Sequence, residues 1–193
     1  MAKRIKLDQC FGVLIDVQEF FMSSLPPAGR EHIDRHCSHF LWLLDHMKVP
    51  TLATLERPVS EKGGLPTGFK AAKVLEKNYF DLTKDKEISA YVKGLGRKQA
   101  IVAGAETEVC VLHSCLGLLD AGYEVFVLED LLFSSSKKVS GAMERMRAEG
   151  VVFLTFKTLF HELLQAVDGS EPRLQVIAPF GEFPEKLAGF EFS

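Results

Sequence analysis

The feature that most constrains this chain is an alternation of short apolar runs with longer amphipathic stretches. Apolar runs bounded by turn or charged residues, which are typical of buried strands, occur at residues 11–15, 51–55, 100–105, 124–128 and 151–155. Helical spacing of apolar residues predicts helices at 31–47, 86–95, 109–119, 137–148 and 158–167. This order predicts an α/β fold, with a doubly wound, mostly parallel sheet of about six strands in three layers, α/β/α.

Size and charge narrow the class of protein. The 193 residues suffice for one domain with a substantial core, so we predict a single domain over 1–193. A net charge of −3, with acidic and basic residues mixed, disfavours binding to nucleic acid or anionic lipid. No apolar run reaches the roughly 20 residues that span a bilayer, and the N-terminus lacks a secretory pattern. We therefore expect a cytoplasmic protein with no membrane or nucleic-acid partner.

Two segments lack regular patterning. Residues 57–68, RPVSEKGGLPTG, contain enough Pro and Gly to predict an irregular loop. The tail beyond Asp168 is also interrupted by Pro and Gly. We expect this tail to lie over the surface or over a partner subunit.

Polar residues that directly follow the apolar runs are the candidates for function, because the crevice of an open α/β sheet lies outside the carboxyl ends of its strands. Asp16 ends the first run, in VLIDVQEFF. The surrounding Val, Ile and Phe side chains are expected to raise its pKa by desolvation, which suits a general base. The alternative is an Asp that only caps the following turn.

Cys110, in IVAGAETEVCVLHSC, follows the apolar run at residues 100–105, at the predicted start of a helix. The helix amides and dipole there are expected to lower the thiol pKa and make a nucleophile. The alternatives are a small core residue or a redox thiol resolved by Cys115. The two cysteines are five residues apart on one predicted helix, so their side chains point in different directions, which disfavours a disulfide.

Lys77, in VLEKNYFD, follows a short apolar pair in the middle of the chain. If its ammonium enters the crevice, it can keep Asp16 ionised and stabilise developing negative charge. A solvated surface lysine is the alternative, since lysine is seldom buried without a partner.

Three stretches together resemble the isochorismatase-like cysteine hydrolase superfamily: LIDVQEFF, VLEKNYFD, and GAETEVCVLHSCLGLLDAGYEVFVLED. The resemblance implies a catalytic triad of Asp16, Lys77 and Cys110. It also implies a non-proline cis peptide between Ala105 and Glu106. This bond would turn the Glu106 amide toward the Cys110 amide, and the two amides would form an oxyanion hole. It implies assembly into dimers or tetramers.

The activity implied by this resemblance is hydrolysis of a small amide through a thioester, or, as in the founding member, of a vinyl ether. Nicotinamide-hydrolysing members carry an Asp and His metal-binding segment after strand two, where this chain reads TLATLERPVSEKGG. No His occurs between His46 and His113, so we predict no catalytic metal and no cofactor. A non-catalytic binding or regulatory protein on the same fold, with the triad as a remnant, is the other alternative.

Five further residues are candidates for the wall of a small-molecule pocket. Phe20 and Phe80 flank the triad stretches, and we expect them to be shared between core and pocket. Gln18 either faces the site or binds a loop, and Glu56 and Arg57 end the second strand, unless they form an exposed ion pair.

A histidine cluster lies outside these stretches. His32, His36 and His39 have helical spacing, and we expect surface or interface residues there in preference to a metal site.

Overall fold

The computed structural model describes residues 3–167, and it contains one parallel sheet of six strands. The strands are β1 Cys10–Ile15, β2 Thr51–Glu56, β3 Lys73–Lys77, β4 Gln99–Gly104, β5 Glu124–Leu132 and β6 Val152–Leu154, in the order β3-β2-β1-β4-β5-β6. All five neighbouring pairs are parallel. The predicted doubly wound sheet is therefore confirmed, and its strand order reverses between β1 and β4.

The connecting segments are helical. They are α1 Glu19–Met22, α2 Pro27–His46, α3 Val59–Lys62, α4 Lys86–Gly94, α5 Leu112–Asp120, α6 Ser140–Ala148 and α7 Phe156–Gln165, with a 3₁₀ turn at Leu82–Lys84 and a π-helical turn at Thr107–Val111. Pro27 starts α2, where a missing amide proton costs nothing because the first helical amides have no partner within the helix.

Two apolar clusters lie on opposite faces of the sheet. On one face Leu14 and Phe126 pack with α2 and α7. On the other face Val13 and Val127 pack with α4, α5 and α6. Successive residues of a strand point to opposite faces, so strands that are covered on both sides are continuously apolar. This is why β1 is buried along its whole length and was recognisable from the sequence.

Several predicted boundaries are wrong. The stretch 57–68 contains the short helix α3, and the helix predicted from residue 109 begins instead with the π-helical turn. The edge strand β3 was not predicted, because its exposure alternates and a lysine occupies one of its two buried positions. The prediction that the tail beyond Asp168 lies over the surface or a partner subunit concerns residues outside the described part of the chain. Between residues 3 and 167, no helix is both long enough and apolar enough to cross a membrane.

Candidate active site

The structure brings Asp16, Lys77 and Cys110 together at the carboxyl edge of the sheet. Lys77 Nζ lies 2.7 Å from Asp16 Oδ2 and 3.2 Å from Cys110 Sγ. Asp16 follows β1, Lys77 is the last residue of β3, and Cys110 lies in the turn after β4. Three segments that are distant in sequence therefore converge because parallel strands end at one edge.

Asp16 is fully buried beneath the site. Its backbone has a φ of +49°, a left-handed conformation that Asp tolerates better than most residues. Oδ1 accepts a hydrogen bond of 2.8 Å from the Thr54 hydroxyl, and Oδ2 faces the Lys77 ammonium. Burial raises the pKa of Asp16, and the charge of Lys77 opposes that rise. The predicted direction of this shift is confirmed.

Lys77 is also fully buried, so the alternative of a solvated surface lysine is wrong. Its ammonium donates to Cys110 Sγ and to the Tyr79 carbonyl at 3.2 Å. Burial by itself lowers the pKa of Lys77, but the charge of Asp16 and the contact with Cys110 outweigh it, and the net pKa is raised. The lysine is therefore a fixed positive charge beneath the sulfur.

Cys110 is 2% exposed and lies within the π-helical turn rather than at the first residue of a helix. Burial is the main cause that raises its thiol pKa, the charge of Asp16 adds to the rise, and Lys77 opposes it. The predicted lowering of this pKa is therefore wrong for the resting protein. A raised pKa favours the protonated thiol, so a nearby base has to remove the proton for the sulfur to act as a nucleophile.

Glu56 is a fourth member of the site. The Cys110 thiol donates to Glu56 Oε2 at 2.9 Å, and Lys77 Nζ lies 3.4 Å from the same oxygen. Lys62, on α3, pairs with Glu56 Oε1. Burial by itself raises the pKa of Glu56. The hydrogen bond from Cys110 and the contact with Lys62 lower it by a larger amount, so the net pKa is lowered. Sequence reasoning proposed Glu56 only as a pocket residue; its position as the last residue of β2 was the signal for a closer role.

The turn before Cys110 has the geometry that the family resemblance implied. The Ala105–Glu106 peptide is cis. The Glu106 carbonyl accepts hydrogen bonds from the amides of Val109 and Val111, both at 3.1 Å, and the Thr107 amide donates to the Phe133 carbonyl at 3.2 Å. These bonds fix the backbone next to the sulfur, where the predicted oxyanion hole would form.

Two of the predicted pocket residues hold other parts of the protein. Gln18 is fully buried: its Nε2 donates to the Glu56 and Gly63 carbonyls, and its Oε1 accepts from the Glu56 amide at 2.7 Å. It therefore clamps a loop, as one of the two interpretations predicted. Arg57 is in an exposed ion pair with Glu76 at 2.7 Å.

Three aromatic residues that lie close to site residues in the sequence are exposed. Phe20, Tyr79 and Phe80 are 55%, 55% and 54% exposed, so they are not shared with the core as predicted for Phe20 and Phe80. Lys62 Nζ lies 5.9 Å from the Phe20 ring centroid, a cation–π distance. The exposed Phe20 ring is thus next to the ammonium group that pairs with Glu56.

The site residues do not fit a divalent metal ion. One ligand atom each from Asp16, Glu56 and Cys110 lie within 4.8 Å of one another. However, Lys77 Nζ contacts all three groups at 2.7, 3.4 and 3.2 Å. A dication there would have to share this space with the ammonium.

The histidine cluster differs from expectation. His36 is 1% exposed and therefore not a surface residue, and its Nδ1 contacts the His32 carbonyl at 2.7 Å. His32 Nε2 contacts the Asp130 carbonyl at 3.0 Å. The cluster packs α2 against β5.

Comparison with known proteins gives a consistent family. The Isochorismatase domain model matches residues 12–158. A secreted isochorismatase effector, Isc1, of Phytophthora sojae (strain P6497) is 40% identical over 83 residues, 42% of this chain and 39% of that protein. A second relative, Isochorismatase family protein 2A of Dictyostelium discoideum, is matched over 42% of its length, so the chain spans about two fifths of the first relatives it matches.

Solved structures share the fold. YcaC from Pseudomonas aeruginosa, with hexane-2,5-diol and covalent acrylamide, has a TM-score of 0.78 at 22% identity, covering 92% of this chain and 91% of that one. YcaC of Escherichia coli, described as an octameric hydrolase of unknown specificity, has a TM-score of 0.74 at 19% identity, covering 93% and 97%.

Proposed function

Since the chain belongs to the isochorismatase family, we propose that it is a cysteine-dependent hydrolase of a small amide. The observation that carries this proposal is the buried Lys77 ammonium, which lies 3.2 Å from Cys110 Sγ and 2.7 Å from Asp16 Oδ2 at the edge where α/β folds bind ligands. A buried charge network is costly to maintain, and perturbed groups of this kind concentrate at functional sites.

In this mechanism Cys110 attacks the carbonyl carbon as a carboxylate at the site removes the thiol proton. The family resemblance assigns that carboxylate to Asp16. Lys77 stabilises the developing thiolate, and the Glu106 and Cys110 amides form the oxyanion hole for the tetrahedral intermediate. The leaving nitrogen takes the proton, the C–N bond breaks, and water hydrolyses the thioester. No metal or cofactor takes part.

The burial of Cys110 supports a small substrate. Cys110 is 2% exposed, so only a compact or planar acyl group is expected to reach its sulfur. Vinyl ether hydrolysis, the other reaction of the family, needs no covalent thiolate. The hydrogen bond from the thiol to Glu56, poised for proton removal, favours the amide.

The test is a screen of small amides for ammonia or amine release with the wild type and with Cys110→Ala. Cys115→Ala is a matched control, because Cys115 is a second buried cysteine five residues further along the same helical segment. We expect Cys110→Ala to lose activity entirely and Cys115→Ala to keep it. Turnover that survives in Cys110→Ala would contradict the proposal. Absence of turnover with every amide would favour the binding-protein alternative.

We further propose that the protein is a cytoplasmic homo-oligomer, a dimer or tetramer. The octameric YcaC of Escherichia coli, which shares the fold, supports an assembly of identical chains. The four cysteines are all buried and unpaired, as suits a reducing compartment. Sedimentation velocity that finds only monomer would contradict the assembly, and fractionation that finds the protein outside the cytosol would contradict the location.

A further inference from the structure

Resting on the proposed function, we infer that Glu56 selects the substrate by accepting a hydrogen bond from an N–H group of the scissile amide. The same carboxylate rejects analogues that carry a methyl group or a negatively charged oxygen in place of this nitrogen. Asp16 keeps the proton-transfer role that the family resemblance assigns to it. The substrate class that follows is a neutral amide whose scissile nitrogen carries at least one hydrogen.

Glu56 lies on the side from which a substrate reaches the sulfur. Its Oε2 is 2.9 Å from Cys110 Sγ, and the carbon that the sulfur attacks has to approach to about 3–3.5 Å. The Glu56 side chain is 14% exposed, whereas those of Asp16 and Lys77 are 0% exposed and Cys110 is 2% exposed. A small molecule that enters from solvent therefore meets the Glu56 carboxylate before it meets the other three groups.

Proton transfer from Cys110 leaves this carboxylate without a donor. In the resting protein the thiol donates to Glu56 Oε2, and Cys110 is also hydrogen-bonded to Asp16. Once Asp16 has taken the proton, the S–H donor is gone and a thiolate lies beside the carboxylate. An N–H group of the substrate then supplies the missing donor at the stage when the sulfur attacks.

The scissile nitrogen is the substrate atom that can supply this donor. Burial by itself raises the pKa of Glu56, but the hydrogen bond from Cys110 and the contact with Lys62 lower it by more, so the carboxylate is ionised at neutral pH and only accepts hydrogen bonds. The carbonyl oxygen of the substrate is directed to the backbone amides in the proposed mechanism, and its acyl carbon carries no polar hydrogen. A methyl group in place of nitrogen would leave Oε2 unpartnered, and a negative oxygen would add repulsion.

The ammonium groups next to Glu56 are already paired with carboxylates. Lys77 Nζ lies 2.7 Å from Asp16 Oδ2 and 3.4 Å from Glu56 Oε2, and Lys62 pairs with Glu56 Oε1. A carboxylate on the substrate would have to compete with Asp16 or Glu56 for either ammonium group. These two positive and two negative charges balance, which favours a neutral ligand.

The recognising oxygen is held in place from two directions. Lys62 holds the other carboxylate oxygen, Oε1. Gln18 holds the backbone, because its Oε1 accepts from the Glu56 amide at 2.7 Å and its Nε2 donates to the Glu56 carbonyl at 3.2 Å. An acceptor that cannot turn away discriminates strongly against a ligand without a donor, since the unmet hydrogen bond is not replaced.

Hydrolysis converts the group that Glu56 accepts into one that it repels. The substrate presents an N–H group beside Oε2, whereas the acid product presents an ionised oxygen on the same carbon. The hydrogen bond that favours the amide is thereby replaced by repulsion between like charges. The contact therefore favours both binding of the amide and release of the acid.

Three reagents of nearly the same size test this selection at Cys110. Iodoacetamide, iodoacetone and iodoacetate carry NH₂, CH₃ and O⁻, respectively, on the same carbonyl carbon. Each forms an S–C bond as iodide leaves, so the bonds that form and break are the same. Labelling rates of Cys110 in the folded protein are measured by mass spectrometry, and each is divided by the rate of glutathione with the same reagent. The proteins are the wild type, Glu56→Gln and the matched control Glu76→Gln, which changes an exposed glutamate paired with Arg57.

We expect the normalised rate of wild-type Cys110 with iodoacetamide to exceed those with iodoacetone and iodoacetate by at least about tenfold. Glu56→Gln should reduce the preference over iodoacetate by at least about tenfold, because it removes the like charge and leaves Lys62 without this carboxylate. The preference over iodoacetone should also fall, since a neutral amide oxygen accepts a weaker hydrogen bond than a carboxylate. Glu76→Gln should keep both preferences. A general change in thiol reactivity would alter all three rates together and leave their ratios unchanged.

Wild-type rates that show no preference for iodoacetamide would overturn the inference without any variant, so the test remains decisive if Glu56→Gln does not fold. Preferences that survive intact in Glu56→Gln would overturn it as well. Neither result would contradict the cysteine hydrolase proposal, because Cys110 is modified in both. That proposal fails separately if none of the three reagents modifies Cys110 in the wild type.

Discussion

At the scale of single residues, the site depends on a buried pair of opposite charges. Asp16 and Lys77 are each removed from water, which costs several kcal/mol per ion unless the partner and hydrogen bonds compensate. The compensation comes from the 2.7 Å ion pair and from the Thr54 hydroxyl. Either charge without the other would be an unpaired charge in the core.

The energetics of this pair can be tested by a double-mutant cycle. We expect Lys77→Met to lower the free energy of unfolding by about 3–5 kcal/mol, because it leaves Asp16 buried without its counter-ion. Asp16→Asn with Lys77→Met should cost less than the sum of the single changes, since both charges are gone. Urea unfolding of the four proteins measures this. Strict additivity would contradict the pair.

The sequence was sufficient to identify the triad residues but not the groups that contact them. Asp16, Lys77 and Cys110 could be identified because each follows an apolar run or belongs to a family motif. The contact between Glu56 and the sulfur could not, since it depends on the register of β2 and β3 and on side-chain rotamers. The thiol pKa was predicted in the wrong direction because burial and two carboxylates outweigh the backbone dipole at Cys110.

At the scale of elements, β4 and the turn after it are packed directly against β1. Gly104 ends β4 with a φ of +121°, and a Cβ there would lie 2.0 Å from the Ile15 carbonyl oxygen. This close approach sets Asp16 and the Cys110 turn side by side. An apolar pattern can reveal the strand, but not that its last residue has no room for a side chain.

Gly104→Ala should therefore destabilise the fold through both a backbone clash and a left-handed conformation, by about 2–5 kcal/mol together. Gly141→Ala, in α6, is the control, because no atom lies within 4 Å of a Cβ there. It should be neutral or stabilise by about 0.5–1 kcal/mol. Thermal unfolding compares them. Equal melting temperatures would contradict the close approach of the two strands.

At the scale of the whole molecule, acid should unfold this protein partly through one histidine. Burial is the main cause that lowers the pKa of His36 to about 4; the hydrogen bond with the His32 carbonyl opposes this, and repulsion from Arg35 and the neighbouring imidazoles adds to it. The ordinary value is 6.5, so the neutral form stabilises the fold fully above about 6.5. That stability is lost as pH falls from 6.5 through 4, where the unfolded chain binds a proton that the folded chain excludes.

Replacing His36 by Asn should reduce the loss of unfolding free energy between pH 7 and pH 5 by on the order of 2 kcal/mol. His161→Asn is the matched control, since His161 makes the same contact with a carbonyl four residues earlier but is exposed. Urea unfolding at both pH values measures the difference. Equal acid sensitivity of the wild type and His36→Asn would show that another group is responsible.

The near-complete burial of the Cys110 sulfur has a practical consequence for thiol profiling in cells. Reagents that carry a dye or a biotin handle are bulky, and all four cysteines are buried. Such surveys would pass over this protein and score it as unreactive. A small reagent added to the folded protein, followed by denaturation and tagging of the remaining thiols, would reveal it. The cysteine that the small reagent had modified would then be the one that carries no tag.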